Sequence, residues 1–551
     1  MDNIQIIVGG AAGEGSKKAG LFIAKLFNAH GYRIFIHEDY QSVIKGGHNF
    51  SYISATQDKH DTVREGINFV LALNKEAVFK HAPHLFPEGV LLYDEGIVDT
   101  VEEVVREDVE VVAAPLQGIV NEAEGIPLMK NTALVATFAK TVGISWEKLE
   151  EALRREIKKE TEKNLQVARV AYDKVPTLRQ VHVTEREPLP LLSGHEAVAV
   201  GAIDAGLECY FAYPMTPSTG VLAFLSGVEG VKVFQPENEI AVINAGVGAS
   251  YAGRRTMIGT SGGGFALMTE GVSLAAQAET PLVTVLSQRM GPASGVPTYQ
   301  AQGDLLFALN SGHGDVVRFV VAPGDVDEAY LWGGEALNIA WEYQLPAIIM
   351  LDKELSENRY EFTLEKERPV QKREGLMSSE KENYQRYEGE DVSPMKFPGE
   401  EGVVVKGTSY EHTPKGVATE EPGEIVAMQD KRNRKHEKLE QVVGNMEAVK
   451  SYQEGELAVI FWGSTKGAVL EAIKDLPVKA VQIIVCQPFP KEQLQKALEG
   501  AKKIVCVENN STGQMAQVLA GQQVSLDESI LRYDGRPFSA EDLREKIKSL
   551  L

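Results

Sequence analysis

The sequence predicts an α/β protein built from three parallel-sheet α/β domains and an extended connector, and three observations support this prediction. Its 551 residues exceed what one hydrophobic core usually organises. Short apolar runs alternate with stretches of helical periodicity, which is the pattern of repeated strand–helix units. Apolar residues make up 43% of the chain and charged residues 24%, the ordinary proportions of a globular protein.

The first segment begins as a strand, a glycine-rich turn and a helix. Residues 4 to 8 are apolar, residues 9 to 15 contain four glycines, and residues 16 to 29 follow helical periodicity. Such a turn exposes backbone N–H groups at a helix N-terminus, which suits phosphate or another anion. This arrangement predicts the first part of a βαβ unit.

The same turn partly matches the fingerprint of a dinucleotide site. Gly10 and Gly15 fit its first and third glycines, and Glu38 lies at about the distance of a ribose-binding acid, but Ala12 takes the place of the second glycine. Close packing of the strand against the helix explains the glycines equally well. A nicotinamide site is therefore a minor alternative.

The middle segment continues the alternation with more glycine and alanine. Strands are predicted at residues 209–212, 255–259 and 282–286, and helices at 238–251 and 265–278. Polar motifs follow the strands. Because ligands of open parallel sheets bind at the carboxyl ends of the strands, we expect a site at this edge.

Changes in composition divide the chain. A polar, proline-bearing stretch indicates a linker at 181–193, and a charged stretch with several prolines indicates an extended connector at 361–450 that ends in a solvated helix. The predicted α/β domains are then 1–180, 194–360 and 451–551.

Charge and cysteine content exclude several classes of function. A net charge of −22 argues against nucleic acids and acidic membranes as partners. No apolar run is long enough to cross a bilayer and the first residues are acidic, which predicts a cytoplasmic protein without a removed segment. Cys209, Cys486 and Cys506 are far apart in apolar surroundings, so we expect core residues and no metal site or iron–sulfur cage from this chain alone.

The most informative stretch is Tyr213-Pro214-Met215-Thr216-Pro217, followed by the acidic pair Glu237 and Glu239 at the head of a helix. A rigid turn that offers a hydroxyl, with a carboxylate on the next element, is typical of half a site for a heterocyclic cofactor. A carboxylate at a helix start is also stabilised by the helix dipole. Either acid could instead cap the helix, so Glu237 remains the second choice after Glu239.

The chain resembles the alpha subunit, with a fused N-terminal gamma domain, of the 2-oxoacid:ferredoxin oxidoreductases. The resemblance covers nearly the whole chain and rests on six ordered motifs, at residues 213–218, 237–241, 260–265, 279–283, 288–298 and 301–305. It implies a gamma domain, a thiamine diphosphate pyrimidine-binding domain and a transketolase C-terminal-like domain, in that order. It also implies oxidative decarboxylation of a 2-oxoacid to an acyl-CoA, with electrons passed to ferredoxin.

The resemblance assigns roles to residues of the middle domain. Glu239 matches the glutamate that hydrogen-bonds N1′ of the thiamine pyrimidine, so that the 4′-nitrogen can remove the proton from the reactive carbon. Cofactor-binding positions are Tyr213, Pro214, Thr216 and Gly263, although the family usually has proline where this chain has Gly263.

The substrate's carboxylate is expected to meet Arg289, Thr216 and Thr298, since a guanidinium fork and two hydroxyls suit a carboxylate. An ion pair for Arg289 and turn-stabilising hydroxyls for the threonines are the alternatives. His195 and His313 lie in glycine-containing loops, where a hydrogen-bonded structural role is commoner than proton transfer.

The resemblance also places coenzyme A near the gamma domain. The candidates are Gly13, Gly15, Lys45 and Gly46, because a glycine turn and a lysine suit phosphates. Simple strand–helix packing is an equal alternative.

The chain lacks the Gly-Asp-Gly motif with which this cofactor's diphosphate and Mg²⁺ are held. The resemblance therefore implies half an enzyme, with a beta subunit that supplies Mg²⁺, diphosphate contacts and iron–sulfur ligands in an α2β2 assembly. 2-Oxoglutarate is the favoured substrate, in either reaction direction. Pyruvate, a branched-chain 2-oxoacid, or a non-catalytic scaffold of the same fold remain open.

Overall fold

The computed structural model describes residues 2–42, 46–96, 101, 103–184, 186–363 and 369–551. By its internal contacts the chain forms two compact units. The first comprises Met1–Leu191, Asn358–Phe362 and Ser539–Glu541, and the second comprises Leu192–Glu357, Thr363–Phe538 and Asp542–Leu551. The finer division predicted from composition stays a prediction.

The elements up to the linker alternate as the sequence predicts. In chain order they are β1 (Asn3–Ala12), α1 (Ser16–Asn28), β2 (Arg33–Asp39), β3 (Gly46–Thr56), β4 (Ile67–Ala72), α2 (Lys75–His81), a 3-10 turn (Ala82–His84), β5 (Leu85–Asp94), β6 (Glu110–Ala114), α3 (Leu116–Glu122), a second 3-10 turn (Pro127–Met129), α4 (Lys130–Thr141), α5 (Trp146–Glu156), α6 (Thr161–Asp173) and β7 (Leu191–Ser193).

The elements of the middle segment follow. They are α7 (Gly194–Asp204), β8 (Cys209–Ala212), α8 (Thr219–Leu225), β9 (Lys232–Phe234), α9 (Glu239–Tyr251), β10 (Thr256–Thr260), α10 (Gly262–Gln277), β11 (Leu282–Gln288), α11 (Leu305–Leu309), β12 (Phe319–Val321), α12 (Val326–Tyr343), β13 (Pro346–Asp352), α13 (Lys353–Glu357) and β14 (Arg359–Glu361).

The last elements begin with a long helix. They are α14 (Pro422–Gly444), β15 (Val449–Tyr452), β16 (Leu457–Trp462), α15 (Thr465–Ala472), β17 (Val478–Ile483), β18 (Val485–Gln487), α16 (Lys491–Ala497), β19 (Lys503–Glu508), α17 (Gln514–Gly521), β20 (Glu528–Leu531) and α18 (Ala540–Lys548).

The first sheet is mixed. Its order is β6-β5-β4-β1-β3-β2-β14-β7, and β1, β4, β5 and β6 run parallel. Strand β3 lies antiparallel between β1 and β2 and so splits the predicted βαβ unit. The core of this unit includes Phe27, Phe69 and Phe138, all essentially inaccessible to solvent.

The second sheet has the order β18-β12-β13-β11-β10-β8-β9. Strands β12, β13, β11, β10, β8 and β9 are parallel, as predicted, and β18 joins β12 as an antiparallel edge. The edge strand comes from the last hundred or so residues of the chain, which the sequence assigned to a separate domain. Phe265 and Trp462 are both fully buried in the same hydrophobic cluster.

The third sheet has the order β15-β17-β16-β19-β20, with β15 antiparallel and the others parallel. The structure therefore confirms the α/β class with mostly parallel strands. Cys209, Cys486 and Cys506 are buried, as expected. Burial raises the pKa of the Cys486 thiol to about 12. Within the described ranges, every helix is too short or too polar to traverse a lipid bilayer.

Two expectations about local structure are wrong. Strand β1 continues to Ala12, so the turn is shorter than residues 9 to 15, because Gly9 and Gly10 pair with Phe50 and Asn49 of β3. Helix α14 is not a solvated helix throughout, since Lys431 and Lys435 are only 1% and 2% exposed.

Candidate functional site

The candidate residues of the second unit meet at one edge of its sheet. Strands β8, β10 and β11 are neighbours and parallel, and they end at Ala212, Thr260 and Gln288. The Tyr213–Pro217 turn, the start of α10 and Arg289 follow these ends directly. The predicted edge is therefore the place where these side chains converge.

Glu239 is the first residue of α9. The residue before it, Asn238, caps the helix, and its side-chain oxygen accepts a hydrogen bond from the N–H of Ala241 at 2.9 Å. Glu239 is 4% exposed, whereas Glu237 is exposed. Neither acid is the cap, and only Glu239 turns into the protein.

The carboxylate of Glu239 packs closely against its neighbours, but one of its oxygens makes no hydrogen bond to the described residues. Its Oε1 is buried and has no hydrogen-bond partner among the residues that the structure describes. A methyl group on Gly264 would lie 2.8 Å from the Glu239 Cγ and Oε1 and 2.2 Å from Thr260 Oγ1. The glycine in the first turn of α10 therefore makes room for this acid.

A buried carboxylate oxygen without a donor is costly unless a ligand supplies the hydrogen bond. In its imino form, the pyrimidine ring of thiamine diphosphate offers such a donor at the ring nitrogen N1′. Gly263, one residue before Gly264, is exposed, and a methyl group there would approach nothing closer than 3.7 Å. The residues present thus fit the pyrimidine half of this cofactor.

The turn after β8 presents its residues differently. Tyr213 and Pro214 are exposed, and Thr216 is half-buried. The main-chain carbonyl of Thr216 accepts a hydrogen bond from the Arg289 guanidinium at 2.5 Å. The structure therefore brings Thr216 and Arg289 together through the threonine's main-chain carbonyl. The Thr216 hydroxyl, which was predicted to meet the substrate's carboxylate, takes no part in this contact.

Arg289 and Thr298 both retain bonding capacity. Arg289 is half-buried, and burial lowers the pKa of its guanidinium while the nearby Asp304 opposes that shift. Thr298 is 4% exposed, and its hydroxyl lacks a hydrogen-bond partner within the described part of the chain. Both groups therefore have bonding capacity for a ligand, but no hydrogen bond or ion pair of the described residues joins them.

Asp304 is a member of this cluster that was not among the predicted site residues. A methyl group on Gly262, the first residue of α10, would lie 2.4 Å from Asp304 Oδ2. Burial raises the pKa of the Asp304 carboxyl to about 6, and Arg289 opposes that shift. The signal in the sequence was that Asp304 follows Gly303 in the motif at residues 301–305. Its contact with Gly262 of α10 could be seen only in the structure.

The two histidines have structural partners. His195 is buried, and its Nε2 lies 3.3 Å from Ser287 Oγ. His313 contacts the Ser273 hydroxyl at two points. Its backbone N–H donates to Ser273 Oγ at 2.8 Å, and its ring Nδ1 lies 3.1 Å from the same oxygen. These contacts agree with the hydrogen-bonded roles considered from the sequence.

The coenzyme A candidates lie in the first unit. Gly13 and Gly15 have φ values of +95° and +84°, and a methyl group on Gly15 would lie 2.3 Å from Asn131 Nδ2. Gly46 begins β3, and Lys45 lies outside the described residues. The glycine turn is therefore a real αL turn at the start of α1.

The structure argues against Glu38 as the ribose-binding acid of a nicotinamide site. Glu38 is 5% exposed, and its carboxylate accepts a hydrogen bond from the Ser51 hydroxyl at 2.8 Å. Gly10 and Ala12 lie within β1 rather than in the turn. Because a ribose would need an accessible carboxylate after a glycine turn, this geometry argues against a dinucleotide.

Two protein families match the chain. The family described as "Pyruvate ferredoxin/flavodoxin oxidoreductase" matches residues 5–174. The family described as "Pyruvate flavodoxin/ferredoxin oxidoreductase, thiamine diP-bdg" matches residues 200–431. The second match contains Glu239, Arg289 and Asp304, so the cluster lies in the thiamine diphosphate-binding part.

Relatives match over the whole chain. The 2-oxoacid:ferredoxin oxidoreductase 2, subunit alpha, of Aeropyrum pernix is 32% identical, with 100% of this chain and 98% of that protein aligned. The 2-oxoacid:ferredoxin oxidoreductase subunit alpha of Saccharolobus solfataricus is 28% identical over the same shares. The 2-oxoglutarate synthase subunit KorA of Methanothermobacter marburgensis is 32% identical over 59% of this chain and 88% of that protein.

A solved structure is also similar along the full length. It is 2-oxoglutarate:ferredoxin oxidoreductase from Magnetococcus marinus with 2-oxoglutarate, coenzyme A and succinyl-CoA bound, with a TM-score of 0.89, 28% identity, and 100% of this chain and 99% of that chain covered. These matches confirm the resemblance drawn from the motifs. The chain belongs to the alpha subunits of the 2-oxoacid:ferredoxin oxidoreductases, a family of multi-subunit enzymes that bind thiamine diphosphate.

Proposed function

We propose that this chain is the alpha subunit of a complex that acts on 2-oxoglutarate. With coenzyme A, the complex would form succinyl-CoA and carbon dioxide and pass two electrons to ferredoxin, or run the reverse carboxylation. The observation that carries the proposal is the buried, unpartnered Oε1 of Glu239 at the start of α9, in the thiamine diphosphate-binding part of the chain. The substrate choice is supported by the 2-oxoglutarate and succinyl-CoA bound in the similar structure and by the KorA relative.

Thiamine diphosphate supplies the carbon nucleophile and the electron sink for decarboxylation. Glu239 would hold the pyrimidine ring and keep a proton at its N1′, since its buried oxygen needs a donor. Tyr213, Pro214, Thr216 and Gly263 would line the ring. The protein's part is therefore to orient the ring and to control one proton.

Arg289 would bind the carboxylate that leaves as carbon dioxide. Its guanidinium is oriented by the carbonyl of Thr216, and one hydrogen bond leaves other N–H groups of the fork for a ligand. The Thr298 hydroxyl and the Thr216 hydroxyl are further donors.

The complex needs a second chain. No cluster of three or more His, Cys, Asp or Glu side chains that could hold a metal ion occurs in the described ranges. We propose that a beta subunit contributes Mg²⁺, the diphosphate contacts and the iron–sulfur cluster that reduces ferredoxin, in an α2β2 assembly. The cytoplasm is the expected compartment.

Coenzyme A would use the first unit. The αL glycines Gly13 and Gly15 precede α1, and between them the exposed Glu14 is bonded back to the strand, since its Oε2 accepts the N–H of Ala11 at 2.6 Å. A glycine turn at a helix start suits a phosphate, with Gly46 and Lys45 as the further candidates.

The complex of this chain with its beta subunit tests the proposal. It is incubated with coenzyme A, methyl viologen and one 2-oxoacid at a time, and the initial rate of viologen reduction is measured over a range of 2-oxoacid concentrations. We expect the highest kcat/KM with 2-oxoglutarate. A higher kcat/KM with pyruvate or a branched-chain 2-oxoacid would replace the proposed substrate, and no reduction with any 2-oxoacid would favour a non-catalytic scaffold.

A further inference from the structure

Asp304 and Arg289 are held by the same strand end. The backbone N–H of Asp304 donates to Oε1 of Gln288 at 3.0 Å, and Gln288 is the last residue of β11. Arg289 is the next residue of the chain. The acid and the proposed carboxylate-binding arginine are therefore fixed relative to each other by one side chain.

The Asp304 carboxyl has no structural partner that would explain its place. Asp304 precedes α11, but its side chain makes no capping hydrogen bond to that helix. Oδ2 is buried although the residue as a whole is partly exposed, and this oxygen has no hydrogen-bond partner in the described part of the chain. A buried carboxyl oxygen without a partner is rare in a purely structural acid.

The carboxyl instead faces the start of α10. A methyl group on Gly262 would lie 2.4 Å from Oδ2 and 2.6 Å from Oδ1. Two residues later, Gly264 faces Glu239 at 2.8 Å in the same way. Two carboxyls with unpartnered buried oxygens therefore flank one helical turn, and only Glu239 has a proposed cofactor contact.

Few charged groups surround Asp304. Arg289 follows β11, and Glu239 comes from α9. Helix α10 has no acidic residue in its first turn, and α17 contributes the neutral Gln514, whose Oε1 accepts the N–H of Leu306. Among the described residues, Arg289 is the charged group that acts on the Asp304 carboxyl, besides burial. No ion pair of the described residues joins the two groups, so Arg289 acts on the carboxyl through its charge and not through a direct contact.

We propose that the ionised Asp304 carboxyl weakens substrate binding by competing with the substrate's carboxylate for the charge of Arg289. This rests on the proposed function, in which Arg289 binds the 2-oxoacid. Ionised, Asp304 attracts the guanidinium and repels an incoming anion; protonated, it does neither. Binding of the anion therefore favours the protonated acid, and one proton is taken up as substrate enters.

The sign of the pH dependence follows. Burial raises the pKa of Asp304 to about 6, so the carboxyl is neutral below this pH and ionised above it. Affinity for the anionic substrate is then greatest below about pH 6 and falls as the pH rises toward about 8, by about tenfold in all for one unfavourable charge in the site. A neutral amide at this position removes the dependence.

The test uses the complex with the beta subunit and oxamate, an unreactive isostere of a 2-oxoacid. Calorimetry at about pH 6.5 in two buffers of different ionisation enthalpy measures the protons taken up on binding. A tenfold effect, measured at a pH midway through the titration, corresponds to uptake of about half a proton by the natural complex, and we expect none by Asp304→Asn. At about pH 8, Asp304→Asn should bind oxamate about tenfold more tightly than the natural complex.

A kinetic measurement complements the calorimetry. The KM for the accepted 2-oxoacid should rise about fivefold between about pH 6 and 8 in the natural complex and stay flat in Asp304→Asn, with kcat much less affected. Asp315→Asn, which changes an exposed carboxyl outside the cluster, is the matched control and should follow the natural profile.

The outcomes separate this inference from the proposed function. Turnover of a 2-oxoacid without proton uptake on oxamate binding in the natural complex would overturn the role of Asp304 alone, even if the variant failed to fold. Equal KM profiles of the natural complex and Asp304→Asn would do the same. Absence of turnover with every 2-oxoacid would instead overturn the proposed function.

Discussion

At the residue scale, the shape of the candidate site depends on three consecutive glycines, which have no side chains. The first turn of α10 contains Gly262, Gly263 and Gly264, and two of them contact an acid closely enough that a methyl group would overlap it. Gly264 accommodates Glu239 and Gly262 accommodates Asp304. The helix start therefore packs against both carboxyls without forming a hydrogen bond to Glu239 Oε1 or Asp304 Oδ2.

This geometry makes a prediction for Gly264→Ala. The new methyl group would lie 2.8 Å from Glu239 Oε1 and 2.2 Å from Thr260 Oγ1, so the buried carboxylate must move. A displacement of about 1 Å at a catalytic group can cost about a hundredfold in rate. We expect a loss of this order in viologen reduction by the complex, together with weaker thiamine diphosphate binding in equilibrium dialysis.

Gly263→Ala is the matched control. It places the same methyl group on the neighbouring residue, where the nearest atom is 3.7 Å away. Its folding should be unaffected, and any loss of cofactor affinity would report on direct contact between Gly263 and the cofactor. Full activity of Gly264→Ala would show that Glu239 does not depend on this packing.

At the element scale, α14 is joined to the end of α10 by buried charges. Glu279, two residues after α10, accepts hydrogen bonds from Lys431 at 2.6 Å and from Lys435. Its backbone carbonyl accepts from Arg386 at 2.6 Å. The two lysines hold the pKa of the Glu279 carboxyl well below its usual range, against the effect of burial.

Removing the Glu279 carboxylate, which Lys431 and Lys435 share, should lower the free energy of unfolding. Glu279→Gln leaves two lysines buried without their anion, and breaking a buried ion pair on one side destabilises a protein by about 3–5 kcal/mol. We expect a lower midpoint of urea unfolding for the second unit, whereas Glu270→Gln, an exposed acid on α10, should change it little. Equal midpoints for the two variants would mean that the lysines are not held by Glu279.

The strands of the sheets could be predicted from short apolar runs. The bounds Cys209–Ala212 and the start of the strand Leu282–Gln288 agree with the prediction because each strand begins with an apolar run. The continuation of β1 was missed because its glycines indicate a turn. A methyl group on Gly9 would lie 2.8 Å from Ala77 Cβ, so this glycine serves packing inside the strand.

The site was only partly predictable for a physical reason. Glu239 stands out because an acid heads a helix after a polar turn, a pattern that is local in sequence. The surroundings of Asp304 depend on Gly262, and those of Lys431 depend on Glu279, 152 residues away. Local patterns do not specify such pairs, because only the packed sheet brings them together.

At the scale of the whole molecule, the chain is proposed to supply one half of an active site. Its first unit has a mixed sheet with an αL glycine turn before α1, and its second unit has the parallel sheet whose carboxyl edge contains Glu239, Arg289 and Asp304. The sequence has no Gly-Asp-Gly motif, and we propose that another chain holds the diphosphate. On this proposal, activity is expected only from the assembled complex.

The central claim is that the buried carboxylate of Glu239 serves the cofactor in that complex. Its most direct test compares Glu239→Gln with Glu237→Gln, the same change on an exposed acid two residues earlier. In 2-oxoacid-dependent viologen reduction, we expect Glu239→Gln to lose about a hundredfold or more in kcat and Glu237→Gln to match the natural complex. Full activity of Glu239→Gln, in a complex that assembles normally, would contradict the account.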